Sequence, residues 1–318
     1  MQIDINGTII KPGENKSIKI RVGKLPSGTT INIVGHVFIS NNVGKRILLL
    51  AGIHGDEVNG IEILRKIIEQ KILTDLQCGS VIVIPVLNVF GFINFKRDVP
   101  SGKDVNRSFP GNRNGSLASR VAKKLTEFIL PNVDMIIDFH SGGETRYNYP
   151  QIRFTKSSTQ SCELASIFNP PFLIEKAMIK GSLRKSANDL KIPTIVFEGG
   201  ESGRLDDFTT QTGINGIKNI LHHFKMIENS ENVKNLEVAM MNKTMWIRAK
   251  DSGIINLLKK SGDMVNEKEP IAIIHDIYSE WSKVVLSPRK AYIIGHNNAP
   301  VVNMGDALFN IGWDTTPP

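Results

Sequence analysis

The amino-acid sequence predicts an α/β fold: a mostly parallel mixed sheet flanked by helices, followed by a small β barrel-like domain. Two patterns and one change of pattern predict it. Short, unbroken apolar runs such as RILLLAGI (residues 46–53) and SVIVIPVL (80–87) read as strands buried on both faces. Between such runs lie stretches with apolar residues at helical spacing, of which Val58, Ile61, Leu64, Ile67 and Ile68 are the clearest. Beyond residue 240 the alternation gives way to short strands and Gly-Asp turns.

Taken in order, residues 18–43 read as short β segments around a Pro26-Ser27-Gly28 turn. The 46–53 strand breaks at His54-Gly55-Asp56-Glu57, where the first helix begins, and the 80–87 strand leads into a long polar stretch up to Gly115. Residues 117–129 form the next amphipathic helix, and 134–139 (DMIIDF) and 192–197 (IPTIVF) two more strands. The second of these ends in Glu198-Gly199-Gly200; then Ile214, Ile217, Ile220, Leu221, Phe224 and Ile227 mark a further helix. The polar run ENSENVKNLE (228–237) reads as a linker, dividing a large domain (residues 1–230) from a small β domain (240–318). In the small domain Ser261-Gly262-Asp263 and Met304-Gly305-Asp306 each precede a strand (271–274 and 307–311), which suggests internal pseudo-symmetry. Sheets of this class bind ligands beyond the carboxyl ends of their strands, so the residues at those ends carry the functional argument.

With 41% hydrophobic and 22% charged residues and no low-complexity tract, the chain is a folded globular one. No apolar run reaches the roughly 18 residues that a membrane helix needs. The opening MQIDI has no basic-then-apolar leader, so a cytoplasmic protein without membrane partners is expected. Cys78 and Cys162 are too few for a disulfide framework and are not spaced as metal ligands. The net charge of +8 raises the question of nucleic acid, but the lysines and arginines are dispersed and form no basic block. A solvated basic surface, with no nucleic-acid partner, is the expectation; the surplus would also attract an anionic small substrate.

His54 and Glu57 form an H-x-x-E pair at a strand-to-helix junction, and His140 ends a later strand in the context FHSGG. Catalytic zinc takes three protein ligands and keeps a fourth position open, and two histidines with a glutamate are an established set. Two ligands on one loop fix one edge of a tetrahedron, and a third from a neighbouring strand closes it. Asp138 lies two residues before His140, on the same side of an extended strand, where it could orient a ligand histidine. Alone, an H-x-x-E after a strand is more often a plain turn; His140 at a second strand end is what favours a metal. His36, His222, His223, His275 and His296 lie in strand-like or helix-like segments and are read as structural.

The segments GIHGDEVNG, GKDVNRSFPG and DFHSGG, in this order and at these separations, resemble the succinylglutamate desuccinylase/aspartoacylase family of the zinc carboxypeptidase-like superfamily. The likeness spans roughly residues 35–224. It implies zinc-dependent hydrolysis of the amide bond of an N-acyl amino acid or related small amide, with one Zn2+ per chain held by His54, Glu57 and His140. By the same likeness Asn106 and Arg107, in Asp104-Val105-Asn106-Arg107, hold a free carboxylate of the substrate, which suits the planar fork of a guanidinium. This motif reads D-V-N-R where D-L-N-R is common. Arg97 resembles the arginine that stabilises the oxyanion, with Arg113 nearby. Glu198 resembles the general base, with Glu201 as its rival. Arg146, Tyr147, Tyr149, Arg153 and Arg204 are candidates for an acyl pocket, or for plain surface and packing roles. The tail from about Met245 resembles a lipoyl-like barrel of bacterial relatives. It lacks a Met-Lys-Met or Asp-Lys-Ala hairpin, so no biotin or lipoyl group is expected. Its expected role is to cover the mouth of the site or to make subunit contacts, a homo-oligomer being left open. A carboxypeptidase acting on short peptides and a metal- or ligand-binding protein without turnover are the competing readings.

Overall fold

A computed structural model describes residues 2–228 and 237–315; most of the stretch read as a linker lies outside the described residues. Four parallel strands form the centre of the main sheet, in the spatial order Ser80–Ile84, Arg46–Leu50, Met135–Gly142, Thr194–Glu201. Every residue of Ser80–Ile84 and of Met135–Gly142 is buried, as unbroken apolar runs require when both faces are covered. The two-residue period of the strands sorts their side chains between two core layers. Ile47, Leu49, Val81, Val83 and Ile137 face the helices Val58–Glu69 and Asp207–His223. Leu48, Leu50, Ile82, Ile84 and Ile136 face the helix Leu117–Phe128, through Val121 and Leu125.

The flanks of this sheet are antiparallel. Thr30–Ile39 pairs with Ser80–Ile84, and Asn15–Lys24 lies outside it; these two strands make the hairpin expected around residues 26–28. On the other side Arg146–Phe154 runs antiparallel to Thr194–Glu201. That strand, the helices Thr159–Phe168 and Leu183–Asp189, and the strand Phe172–Glu175 were not expected from the sequence. The polar stretch after residue 87 also holds a six-residue helix, Val89–Asn94, and a single 3-10 turn, Val105–Arg107. Both are too short for apolar periodicity to register. Their signal is instead a capping side chain, from Asn88 and Asp104 respectively.

Beyond residue 237 the strands Lys243–Arg248, Ala307–Trp313 and Ala291–Asn297 extend the main sheet, joined to it where Gly295 and His296 pair with Asn148 and Tyr147. Ser282–Leu286, Pro270–His275, Gly253–Leu257 and Val301–Val302 form a separate antiparallel sheet. Ile271, Ile293, Leu308 and Phe309 fill the space between the two with a core of its own. The two Gly-Asp units are the same turn used twice. Gly262 and Gly305 take φ of 99° and 93°, and Asp263 and Asp306 each accept a hydrogen bond from the backbone N–H three residues earlier.

Candidate metal centre and active site

The carboxyl ends of three neighbouring central strands converge. His54 follows Arg46–Leu50, His140 lies in Met135–Gly142, and Glu198 lies opposite His140 in the register of Thr194–Glu201. Glu57 stands at the N-cap of the helix Val58–Glu69, yet its side chain makes no capping hydrogen bond. Its carboxylate points instead at the two histidines: Oε1 is 2.7 Å from His54 Nδ1 and Oε2 is 2.8 Å from His140 Nδ1. Oε2 also accepts a hydrogen bond from Ser141 N–H at 3.1 Å. All three residues are buried.

The far nitrogen of each imidazole faces another carboxylate. His140 Nε2 lies 3.0 Å from Asp138 Oδ2, and His54 Nε2 lies 3.3 Å from Asp104 Oδ1, the latter a close approach without good hydrogen-bond alignment. With the imidazole protons on the Nε2 side, both Nδ1 lone pairs meet the Glu57 carboxylate at one point. Three electron-pair donors converging in a buried place call for a cation. The spacing suits one: the two Nδ1 atoms are 3.3 Å apart. Zinc–nitrogen bonds of about 2.0–2.1 Å at a tetrahedral angle span about 3.3 Å. The donor set therefore fits zinc. The surroundings favour positive charge here, whether a proton on an imidazole or a cation in its place. Burial opposes charging either histidine, but Glu57 and Asp104 around His54, and Asp138 and Glu57 around His140, outweigh it and hold both above the ordinary histidine range. Burial likewise opposes ionising Glu57, and the two histidines outweigh it, holding its carboxyl well below the usual range.

Close backbone contact sets the loop that carries His54. A Cβ on Gly55 would lie 1.9 Å from the backbone carbon of Gly91, so only glycine lets this loop rest on the helix Val89–Asn94. Gly55 N–H donates to Lys96 O at 3.0 Å. Asn88 caps that helix, accepting from Gly91 N–H at 2.9 Å, and donates to Arg97 O at 3.1 Å. Arg97 is thereby placed against the cluster, its Nη1 3.2 Å from His54 Nδ1 and 3.4 Å from Glu57 Oε1. Asp104 ties the group together. It accepts from Arg97 Nη2 at 2.9 Å and from Asn106 N–H at 2.6 Å while facing His54. Reading the motif for its Asn and Arg alone overlooked this part for its first residue.

A cavity of about 260 Å³ opens over the cluster. It brings together His54, Glu57, His140, Arg97, Asn106, Arg107 and Glu198, all the site residues expected from the sequence. Asn106 Oδ1 accepts from Leu183 N–H at 2.9 Å, which fixes its side chain at the cavity wall. Glu198 accepts from Arg153 Nη1 at 2.7 Å and from Asn148 Nδ2 at 2.9 Å. Its rival Glu201 turns away, to Arg204 and Asn298, and Arg113 pairs with Glu127 outside the cavity. Among the acyl-pocket candidates Arg146 and Arg153 line the cavity. Tyr147 stacks on His296, Tyr149 lies against Phe172 and Phe208, and Arg204 is exposed. Arg184 and Trp246 also line the cavity. Neither carried a signal in the sequence: Arg184 sits on an unexpected helix, and Trp246 arrives from the C-terminal strands.

The chain is similar to several known proteins. The model of a family described as the succinylglutamate desuccinylase/aspartoacylase catalytic domain matches residues 43–224. The N-alpha-acetyl-L-2,4-diaminobutyric acid deacetylase of Halomonas elongata is 27% identical over 307 residues, covering 90% of this chain and 88% of that protein. Among solved structures, a succinylglutamate desuccinylase/aspartoacylase from Rhodobacter sphaeroides superposes with a TM-score of 0.84 at 22% identity, over 95% of this chain and 96% of its own. The product-bound ectoine utilization protein EutE (DoeB) from Ruegeria pomeroyi gives 0.82 at 21% identity, over 94% and 95%. The two structural matches speak to the fold.

Proposed function

The chain belongs to the succinylglutamate desuccinylase/aspartoacylase family, and from that premise we propose that it is a zinc-dependent deacylase of a small N-acyl amino acid. The observation that carries this reading is the meeting of the His54–Glu57–His140 donor set with Glu198 in one cavity. Zinc held by those three side chains would supply Lewis acidity, making water acidic near pH 7 and polarising the amide carbonyl. The remaining work falls to the chain's own groups. Glu198 accepts the proton of the attacking water and passes it to the amide nitrogen as the C–N bond breaks, releasing a carboxylic acid and an amine. Arg97 offers a fixed positive charge where the carbonyl oxygen becomes negative. Asn106 and Arg107 hold the carboxylate of the amino-acid part.

The size and charge of the cavity narrow the substrate. About 260 Å³ falls below the range of roughly 300–1,000 Å³ typical of drug-sized ligands, which favours a small acyl amino acid over a peptide. Besides the Arg153–Glu198 pair, Arg97, Arg107, Arg146 and Arg184 line it against the carboxylates of Glu57 and Asp138. An anionic substrate fits this lining better than one with a free basic side chain. On this reading residues 1–230 form the catalytic domain, and the small β domain at 240–318 completes the cavity wall through Trp246.

The test is an amine-release screen with added zinc over N-acetyl, N-formyl and N-succinyl derivatives of acidic, neutral and basic amino acids, with dipeptides alongside. The expected result is turnover of an N-acyl acidic amino acid, abolished by chelator and lowered about 100- to 10,000-fold in Glu198→Gln. Turnover of dipeptides alone would replace the reading with a carboxypeptidase. Stoichiometric zinc without turnover of any of them would leave a metal-binding protein.

A further inference from the structure

Glu198 is gripped at both oxygens by one neighbouring strand. Arg153 Nη1 donates to Oε1 at 2.7 Å and Asn148 Nδ2 donates to Oε2 at 2.9 Å. Both donors lie on Arg146–Phe154, whose register against Thr194–Glu201 shifts between Glu198 and Gly200. On the two neighbouring strands Val196 lies opposite both Asp138 and Arg153, and Glu198 opposite both His140 and Gln151. Directly opposed residues share a face of the sheet. One face thus carries two cross-strand rows, Asp138–Val196–Arg153 and His140–Glu198–Gln151. Arg153 stands two strands from the metal-ligand strand, a Cα separation of roughly 10 Å, with the base strand between them.

Arg153 has no other carboxylate partner among the described residues. Its cationic neighbours are tied elsewhere, Lys176 to Thr244 Oγ1 and Arg184 to Ala177 O. A glutamate side chain turns freely about three bonds, and a base that wanders loses the alignment that proton transfer requires. Two donors fixed on a paired strand, one of them charged, remove that freedom.

We infer that Arg153 and Asn148 are positioning residues that hold the Glu198 carboxylate at a fixed place in the cavity it shares with the metal cluster, acting on the reaction through Glu198 and not by contact with the substrate. This rests on the deacylase reading for its kinetic consequence, and on the hydrogen bonds themselves for the clamp.

The experiment is a double-mutant cycle in the full-length, zinc-loaded enzyme, using Arg153→Met, Arg153→Lys, Asn148→Ala and Glu198→Gln singly and paired, with zinc content and thermal melting recorded for each. Arg153→Met is expected to lower kcat about 10- to 100-fold, with KM changed by less than about twofold. Arg153→Lys, which keeps the charge but not the fork, recovers part of that loss. In the Glu198→Gln background Arg153→Met costs nothing further, because the group it positions is gone. A rise in KM at unchanged kcat, or an undiminished Arg153 effect in the Glu198→Gln background, would overturn the inference by making Arg153 a substrate-binding group. If the parent turns over no acyl substrate, the deacylase reading fails. The clamp is then read from urea unfolding of the parent, Arg153→Met, Glu198→Gln and the variant carrying both. Coupling of Arg153 and Glu198 by about fivefold or more in the unfolding constant sustains it, and additivity removes it. Arg153→Lys and Asn148→Ala carry the test should Arg153→Met fail to fold.

Discussion

At the scale of single residues, the carboxylates at this site are shared among several partners. Asp104 accepts from Arg97 and from the backbone of Asn106 and faces His54, so one carboxylate serves an arginine, a 3-10 turn and a buried histidine. Away from the site, Arg46 and Asp134 form a two-pronged pair at the start of the central sheet, with a further bond from Arg46 N–H to the same carboxylate. Burial pushes the Asp134 carboxyl up, and the Arg46 bonds outweigh it, holding it below the usual carboxylate range. A folded pKa below the unfolded one gives stability that is fully present above the unfolded value and lost as pH falls through the folded one. Both partners keep contact with solvent, so Arg46→Met should cost only about 1 kcal/mol at pH 7. Its difference in urea stability from the parent should shrink as the pH drops below about 4. An equal difference at pH 3 and pH 7 would count against this.

At the scale of elements, the loop carrying His54 and Glu57 depends on the short helix beneath it. Gly55→Ala would drive a Cβ into the backbone of Gly91, and neither segment can yield without moving the ligands. The expected cost is about 1–3 kcal/mol of overpacking strain, with a loss of zinc affinity readable by competition against a chelator. Unchanged affinity would mean that the loop moves as a unit. The elements legible in the sequence are those whose apolar residues run together or recur at helical spacing. Leu48 and Leu49 fill opposite layers of a fully covered strand, and Ile63, Leu64 and Ile67 bury one stripe of a helix. The strand Arg146–Phe154 was not legible because Asn148, Gln151 and Arg153 interrupt the apolar pattern that would have marked it. Two of these hydrogen-bond Glu198, so polar residues that serve the cavity break the apolar signal at that point.

At the scale of the whole molecule, the C-terminal strands are continuous with the catalytic sheet and are tied to it by a directed hydrogen-bond chain. The backbone N–H of Ser261 donates to His296 Nδ1 at 3.0 Å, which makes Nδ1 an acceptor and puts the proton on Nε2. Nε2 then donates to Asn298 Oδ1 at 3.0 Å, and Asn298 Nδ2 donates to Glu201 Oε2 at 2.5 Å, three residues past the proposed base. Burial holds His296 below its ordinary pKa, in keeping with a neutral ring. Through this join Trp246 reaches the cavity wall. Trp246→Ala should raise KM for the preferred substrate about 3- to 30-fold, the range for losing part of an apolar wall, while leaving zinc content unchanged. An unaltered KM would show that the C-terminal strands frame the cavity without touching its ligand.

The central strands, the helices that cover them and the residue types of the candidate metal site can be read directly from the chain. Apolar period and strand-end chemistry are local properties, written within a few neighbouring positions. The tertiary structure alone decided which side chains meet. His54 and His140 lie 86 positions apart and are brought to 3.3 Å by parallel strands that are adjacent in space. Arg153 reaches Glu198 through an antiparallel register that shifts beside it, and Trp246 arrives from strands that join the far side of the same sheet. Strand order and register come from long-range pairing, which leaves no periodic trace in the chain.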